Sequence, residues 1–406
     1  MTPSFSTRAV HAGRHDFNDL GVHAPPLDLS STYPTPDLAA AAASYDALAS
    51  GEAPRGTSVY SRLFNPTTDR TERALAELEG GEDAAAFASG MAAISAVLMD
   101  ARQRGGHIVA VRPLYGGTDH LLDSGTFGLD VSWVQPSEIA AAIRADTALV
   151  YIETPANPTL DLVDIAAVVR QAGQVPVCVD STFATPVLQR PLELGVTLVL
   201  HSATKFLGGH GDVLAGVVIG AHEHIARLKH LRAITGGVLH PLASYLLHRG
   251  LPTLELRVLH MQQTADILAA RLAESPHVQH VFFPGLPGQD PCGLIGTQMA
   301  GPGSILAFTL VEDTADAMQR FISALRLITP AVSLGSTDTL IQPPAALTHR
   351  IVDPAAQAAS HITPGLARLS VGLESPDDLW QDLAQALGTV ARAVPIPTGE
   401  MLASTA

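Results

Sequence analysis

Six short runs of apolar and β-branched residues, at 107–112, 129–134, 147–153, 175–180, 197–201 and 213–219, alternate with stretches of helical periodicity, which leaves few folds open to the chain. The runs are almost wholly apolar instead of alternating in polarity, as strands are when both faces of a sheet are covered. The pattern predicts an α/β protein with a mostly parallel, helix-covered sheet. Several runs finish on polar residues, among them Glu153, Asp180 and His201. Ligands in open α/β sheets bind at such strand ends.

The rest of the chain divides around this sheet. Residues 1–60 carry breakers at Pro25, Pro26, Pro34, Pro36 and Pro54 and read as an irregular N-terminal arm. A helical pattern from Asp69 stops at Gly80-Gly81, and a second helix is expected after Ser89-Gly90. A long helical stretch from Thr253 to Glu274, followed by strand-like runs at 277–283, 304–311 and 366–371, marks a different region. We therefore expect a large domain at 61–250 and a smaller α+β domain at 251–406, with a frayed tail from Pro395.

Composition removes several classes. With 406 residues, 47% of them hydrophobic, the chain can build two or three cores, and a net charge of −15 argues against nucleic acid. Two cysteines, Cys178 and Cys292, form neither a disulfide framework nor a metal-type spacing, which suits a cytoplasmic protein. The longest uncharged apolar stretch, 84–99, is Ala-rich and flanked by Asp83 and Asp100, so no membrane span is expected. The 17 histidines fall into no ligand pattern, and no metal is assigned.

Phosphate-loop, dinucleotide, serine-hydrolase and zinc-protease motifs are all missing. What stands out is Lys205, one of only two lysines, in His201-Ser202-Ala203-Thr204-Lys205-Phe206-Leu207-Gly208-Gly209-His210. An amine beside a buried strand end is desolvated, which lowers its pKa and makes it a nucleophile toward carbonyls. Asp180 ends another apolar run in a carboxylate that can face a protonated heterocycle nitrogen, although a helix cap is an equal reading of that residue alone. The Ser89-Gly90-Met91 turn opens a helix whose free N–H groups and dipole suit a phosphate, and Ser202 and Thr204 add hydroxyl donors. Lysine, acid and phosphate cup are three of the parts that pyridoxal 5'-phosphate requires, the fourth being an aromatic plate over its ring.

The chain resembles the Cys/Met-metabolism family of pyridoxal-phosphate enzymes in nine segments that run in family order. These are Thr7-Arg8-Ala9-Val10-His11-Ala12-Gly13, Tyr60-Ser61-Arg62 with Asn65-Pro66-Thr67, Ser89-Gly90-Met91, Tyr115-Gly116-Gly117-Thr118, Glu153-Thr154-Pro155-Ala156-Asn157-Pro158, Asp180, Ser202-Ala203-Thr204-Lys205, Ser333-Leu334-Gly335 and Arg368-Leu369-Ser370-Val371-Gly372. The resemblance implies a fold-type I pyridoxal-phosphate-dependent transferase fold, with Lys205 holding the cofactor and shuttling protons. It implies Asp180 at the pyridine nitrogen, Tyr115 stacked on the ring and acting as an acid, and Asn157 on the phenolic oxygen. Ser89, Gly90, Met91, Ser202 and Thr204 surround the phosphate by the same likeness. Tyr60 and Arg62 match residues that family members lend to the neighbouring subunit, so a homotetramer of two active dimers is expected. Arg368 matches the arginine that grips the substrate carboxylate, with Ser333 beside it, while Glu153 and Thr182 support the site.

Val332 is apolar where many cystathionine-processing members carry a Glu for the distal ammonium, and burying an ammonium there without a partner costs several kcal/mol in principle. Gly117 stands where methionine-cleaving members commonly have Cys. The expected reaction is α,γ-elimination on a sulfur amino acid, with L-methionine favoured, giving methanethiol, 2-oxobutanoate and ammonia. Elimination on cystathionine, γ-replacement on an activated homoserine, and a catalytically silent scaffold remain the alternatives.

Overall fold

A computed structural model describes residues 3–390. The larger of its two sheets contains β1 (Asp83–Phe87), β2 (His107–Val111), β3 (Asp130–Val134), β4 (Thr147–Glu153), β5 (Val177–Asp180), β6 (Leu198–His201) and β7 (Gly216–Gly220), in the order β1-β7-β6-β5-β4-β2-β3. Strands β3, β2, β4, β5 and β6 run parallel, and β7 is antiparallel to both β6 and β1. Successive side chains point to opposite faces, so Ile108 and Tyr151 enter one core with Phe87 and Leu98, while Val109 and Val150 enter another with Val179 and Val199. Each such Val, Ile or Leu contributes roughly 1.5–3 kcal/mol on full burial, which is why these strands tolerate polar residues only at their ends.

All six runs read from the sequence are strands in this sheet, with ends shifted by a few residues. The seventh, β1, was not expected, because its Ala84-Ala85-Ala86 core favours a helix on local grounds. Pairing overrides that preference: β1 lies in register with β7 from Asp83 opposite Gly220 to Phe87 opposite Gly216. Its small side chains let the 66–79 and 222–235 helices pack close to it.

The N-terminal arm is irregular only in part, chiefly over 21–37 and 50–60. It holds helices at Phe5–His11, Phe17–Leu20 and Leu38–Ala49. In the last of these Asp37 accepts the N–H groups of Ala39 and Ala40, and Ala41, Ala47 and Leu48 are buried. The helix expected from Asp69 begins at Pro66, because the Asn65 side chain accepts the N–H groups of Thr67 and Thr68, and it ends at Gly80, whose φ of 81° only glycine adopts readily.

The second sheet comprises β8 (Val278–Phe282), β9 (Ile305–Leu310), β10 (Thr329–Pro330), β11 (Leu340–Gln342) and β12 (Leu366–Ser370), in the order β10-β11-β12-β9-β8. Only β10 and β11 pair in parallel. The Leu254–Ala273 helix serves both cores: Leu254, Val258 and Met261 pack with the large sheet, and Ala265, Leu268 and Leu272 with the small one. The stretch from Pro395 read as a frayed tail lies outside the described residues.

Candidate active site

Because β4, β5 and β6 are parallel, their carboxyl ends share one edge, and Glu153 lies opposite Asp180 in the register. Both carboxylates are buried. Asp180 accepts from the Thr182 hydroxyl at 2.5 Å and the Thr182 N–H at 3.1 Å. Burial pushes its carboxyl upward, and the Thr182 hydrogen bonds oppose that shift. The Thr182 hydroxyl in turn accepts the Ser202 N–H at 2.8 Å, tying the ends of β5 and β6 together. Glu153 accepts the N–H groups of Tyr115 and Asn157, both at 2.8 Å, and burial with the neighbouring Asp180 drives its carboxyl well above the usual range.

Lys205 follows β6 in a turn pinned by the Thr204 hydroxyl, which donates to the Ala215 carbonyl at 3.1 Å and accepts the Ala215 N–H at 2.9 Å. The Lys205 Nζ donates to Ser333 Oγ at 2.7 Å. Burial, with a further push from the Arg368 guanidinium, brings the amine down to about 8. Ser333 holds this position with φ of 85°, a region that favours glycine, and its carbonyl accepts Arg368 Nη2 at 2.7 Å.

Arg368 comes from the middle of β12 and is buried. Its Nη1 donates to Asn157 Oδ1 at 2.9 Å, while Nε is buried without a partner. Burial lowers the guanidinium to about 10. An arginine held by an amide and a carbonyl retains its charge for a carboxylate that arrives from solution.

Tyr115 caps the Gly116–Asp123 helix and leans over the cavity. A Cβ on Gly117 would stand 2.6 Å from the Tyr115 Cε1 and 3.1 Å from the Met91 sulfur, so the ring rests against a position without a side chain. On the far side Ser89 caps the Gly90–Arg104 helix by accepting the Ala92 N–H at 3.1 Å, leaving the Gly90 and Met91 N–H groups without intrahelical acceptors. A Cβ on Gly90 would stand 2.8 Å from Ser202 Oγ, which shows how closely the two turns approach.

These groups line one cavity of about 560 Å³: Ser89, Gly90, Met91, Tyr115, Asn157, Asp180, Ser202, Thr204, Lys205, Val332, Ser333 and Arg368 all face it, with Glu153 and Thr182. Tyr60 and Arg62 do not. Tyr60 is exposed, and Arg62 donates to the Ala233 carbonyl with its guanidinium 5.5 Å from the Tyr60 ring centre. Phe183, Leu214, Leu347 and Thr348 also line the cavity. Sequence reading missed them because each is an apolar or small polar loop residue with no motif around it.

The donor set fits pyridoxal 5'-phosphate. A desolvated amine is available for the aldehyde, and Asp180 gains ionisation from a protonated ring nitrogen set against it. The Gly90 and Met91 N–H groups and the Ser89 and Ser202 hydroxyls line the cavity as donors for a phosphate, whereas the Thr204 hydroxyl expected beside them is committed to the Ala215 carbonyl. Fold and site together define a pyridoxal-phosphate enzyme of fold type I.

The profile of the Cys/Met metabolism PLP-dependent enzyme family matches residues 6–388, and the chain belongs to that family. It is 53% identical over 384 residues to the L-methionine gamma-lyase of Brevibacterium sandarakinum, covering 94% of this chain and 96% of that one. It is 53% identical over 388 residues to the L-methionine gamma-lyase of Streptomyces avermitilis, covering 95% and 89%. A solved cystathionine gamma-lyase from Micromonospora echinospora superposes with a TM-score of 0.86 at 38% identity, covering 95% of this chain and 100% of that one.

Proposed function

We propose that the protein catalyses α,γ-elimination of L-methionine to methanethiol, 2-oxobutanoate and ammonia. The observation that carries this reading is the polarity of the cavity: a buried arginine at one end and an apolar wall of Val332, Leu214 and Leu347 at the mouth. A methionine fits that gradient with its carboxylate on Arg368 and its methyl thioether outward. The names of the relatives above agree with it.

Bound pyridoxal phosphate supplies an electron sink that makes the Cα and Cβ protons of the amino acid acidic. Arg368 holds the substrate carboxylate through a fork that a lysine would not reproduce. Asp180 keeps a proton on the ring nitrogen. Asn157, its Oδ1 taken by Arg368, has its amide N–H groups free to donate to the phenolic oxygen. Lys205, with its amine near 8, is a base at mildly alkaline pH; it would take the Cα proton, hand it on to the cofactor's C4′ and, once unprotonated again, take a Cβ proton. The Tyr115 hydroxyl protonates the departing sulfur, and Val332 presents an apolar surface to the terminal methyl.

The test is 2-oxobutanoate release by the cofactor-loaded protein with methionine, homocysteine and cystathionine offered separately at equal concentration. Methionine is expected to be turned over best. A preference for cystathionine would replace this reading with cystathionine γ-lyase. Silence with all three would move it to γ-replacement on an O-acyl homoserine.

Tyr60 and Arg62, which lie outside the cavity of their own chain, act in this reading on the phosphate of a neighbouring subunit within a cytoplasmic homotetramer. Arg62→Ala should then weaken cofactor retention about tenfold in a dialysis assay, by loss of a charge-assisted phosphate contact. Unchanged retention would remove the shared site.

A further inference from the structure

Strand β11 places Gln342 opposite Arg368, and Pro343-Pro344 then ends the strand in a short turn over 344–346. Leu347 and Thr348 reach the cavity, whereas His349 turns inward and is 1% exposed. The loop docks directly on the large-domain segment that carries Tyr115. A Cβ on Gly116 would lie 2.1 Å from the Thr348 carbonyl oxygen and 3.4 Å from the His349 Cα, so only glycine next to Tyr115 admits the loop backbone.

His349 sits where several fixed groups meet. The Gln342 amide donates to Thr348 Oγ1 at 2.9 Å, and Thr348 Oγ1 lies 3.1 Å from the His349 Nδ1. The ring stands beside the backbone carbonyls of Leu114 and Asn157, and its Nε2 is buried without a well-formed hydrogen bond. Leu114 precedes Tyr115, and Asn157 bonds Arg368, so one imidazole abuts the backbones that present both residues. Burial, reinforced by Arg368, lowers the ring to about 4 and keeps it uncharged at neutral pH. A buried histidine that only filled space would be replaceable by an apolar ring, whereas here the ring nitrogens face polar backbone that is otherwise sealed from water.

We propose that His349 is a positioning residue, a polar wedge between the small-domain loop and the Leu114 and Asn157 backbones that sets the place of the Tyr115 hydroxyl relative to the substrate held by Arg368. The proposal rests on the reading of Tyr115 as the acid for the leaving sulfur. A small displacement of that hydroxyl slows the step in which the sulfur takes its proton and leaves carboxylate binding unchanged.

The test uses the cofactor-loaded full chain and its His349→Phe and His349→Gln variants, with L-methionine and O-acetyl-L-homoserine as substrates. Acetate leaves as a stable anion and needs no acid, unlike methanethiolate. For His349→Phe, kcat on methionine should fall about tenfold while KM changes less than about twofold and O-acetyl-L-homoserine turnover falls less than about threefold. Cofactor absorbance should match the parent, the unfolding midpoint should drop by no more than a few degrees from the backbone groups left facing the Phe ring, and His349→Gln should recover most of the kinetic loss. Equal losses on the two substrates, or parental kcat in His349→Phe, would overturn the proposal. Should the Phe variant fail to fold, the same ratio of losses in His349→Asn decides the matter. If the parent protein acts on cystathionine and not on methionine, the substrate assignment fails, and the ratio is read with cystathionine in its place.

Discussion

At the floor of the cavity Asn157, Arg368, Glu153 and Asp180 are 2%, 3%, 5% and 5% exposed, and each is held by hydrogen bonds, those of Asp180 coming from Thr182 in the turn after its own strand. At the mouth Leu347, Val332 and Leu214 are 48%, 52% and 69% exposed and present apolar side chains to solvent. The floor is a buried polar network in low dielectric in which, of these four side chains, only Arg368 has an atom buried without a partner, its Nε, and removing one member strands its neighbours, so it admits little change. The mouth has no such coupling. Substitution there should therefore change what enters more than what reacts.

The sharpest way to break this contrast is at the floor. Lys205→Ala should reduce 2-oxobutanoate release on the order of 10³-fold or more while the unfolding midpoint stays close to the parent's, because in the proposed reaction the amine is both the carbonyl nucleophile and the proton carrier. Retention of a tenth of the activity would remove Lys205 from its role.

Arg368→Lys keeps the charge but loses the fork, and should raise KM for the amino acid about 10- to 100-fold in steady-state assays. An unchanged KM would place the carboxylate elsewhere.

The pH dependence of carbonyl capture sharpens the contrast further. Only the unprotonated amine reacts, and with Lys205 lowered from 10.5 to about 8, reloading of cofactor-free protein should speed up as pH rises and level off above pH 8. Between pH 7 and 9 the gain should be about tenfold, whereas an ordinary lysine would still be climbing at pH 10. Stopped-flow absorbance at several pH values separates the two curves.

The smallest effect is expected at the mouth. Val332→Glu should shift the ratio of kcat/KM values toward cystathionine by about threefold to fivefold, since a half-exposed carboxylate gains little from pairing with a distal ammonium. A collapse of turnover with both substrates would mean that the mouth is coupled to the floor after all.

Much of the floor could be read before any fold was drawn. Asp180 and Lys205 stand at the ends of apolar runs, and the parallel pairing of those runs brings them to one edge. The Ser89-Gly90 turn announced a helix start, and the helix begins at Gly90. Other features had a signal that went unused. Asp37 before the 38–49 helix and Asn65 before Pro66 are both capping residues placed where a helix opens. Strand β1 had none, since three alanines in a row carry no strand preference. Its place follows from pairing with β7, more than 100 residues away.

The sequence by itself determined the six apolar runs that become strands of the large sheet, the helix start at Gly90 and the chemistry of the residues there, because period, turn residues and local desolvation act over a few positions. Only the tertiary structure decided that Arg368 reaches Asn157 across 211 residues, that Ser333 turns its hydroxyl to Lys205, and that His349 seats against the backbone before Tyr115. Those contacts come from the packing of the small sheet onto the large one through the 254–273 helix, where shape and burial, not periodicity, select the neighbours.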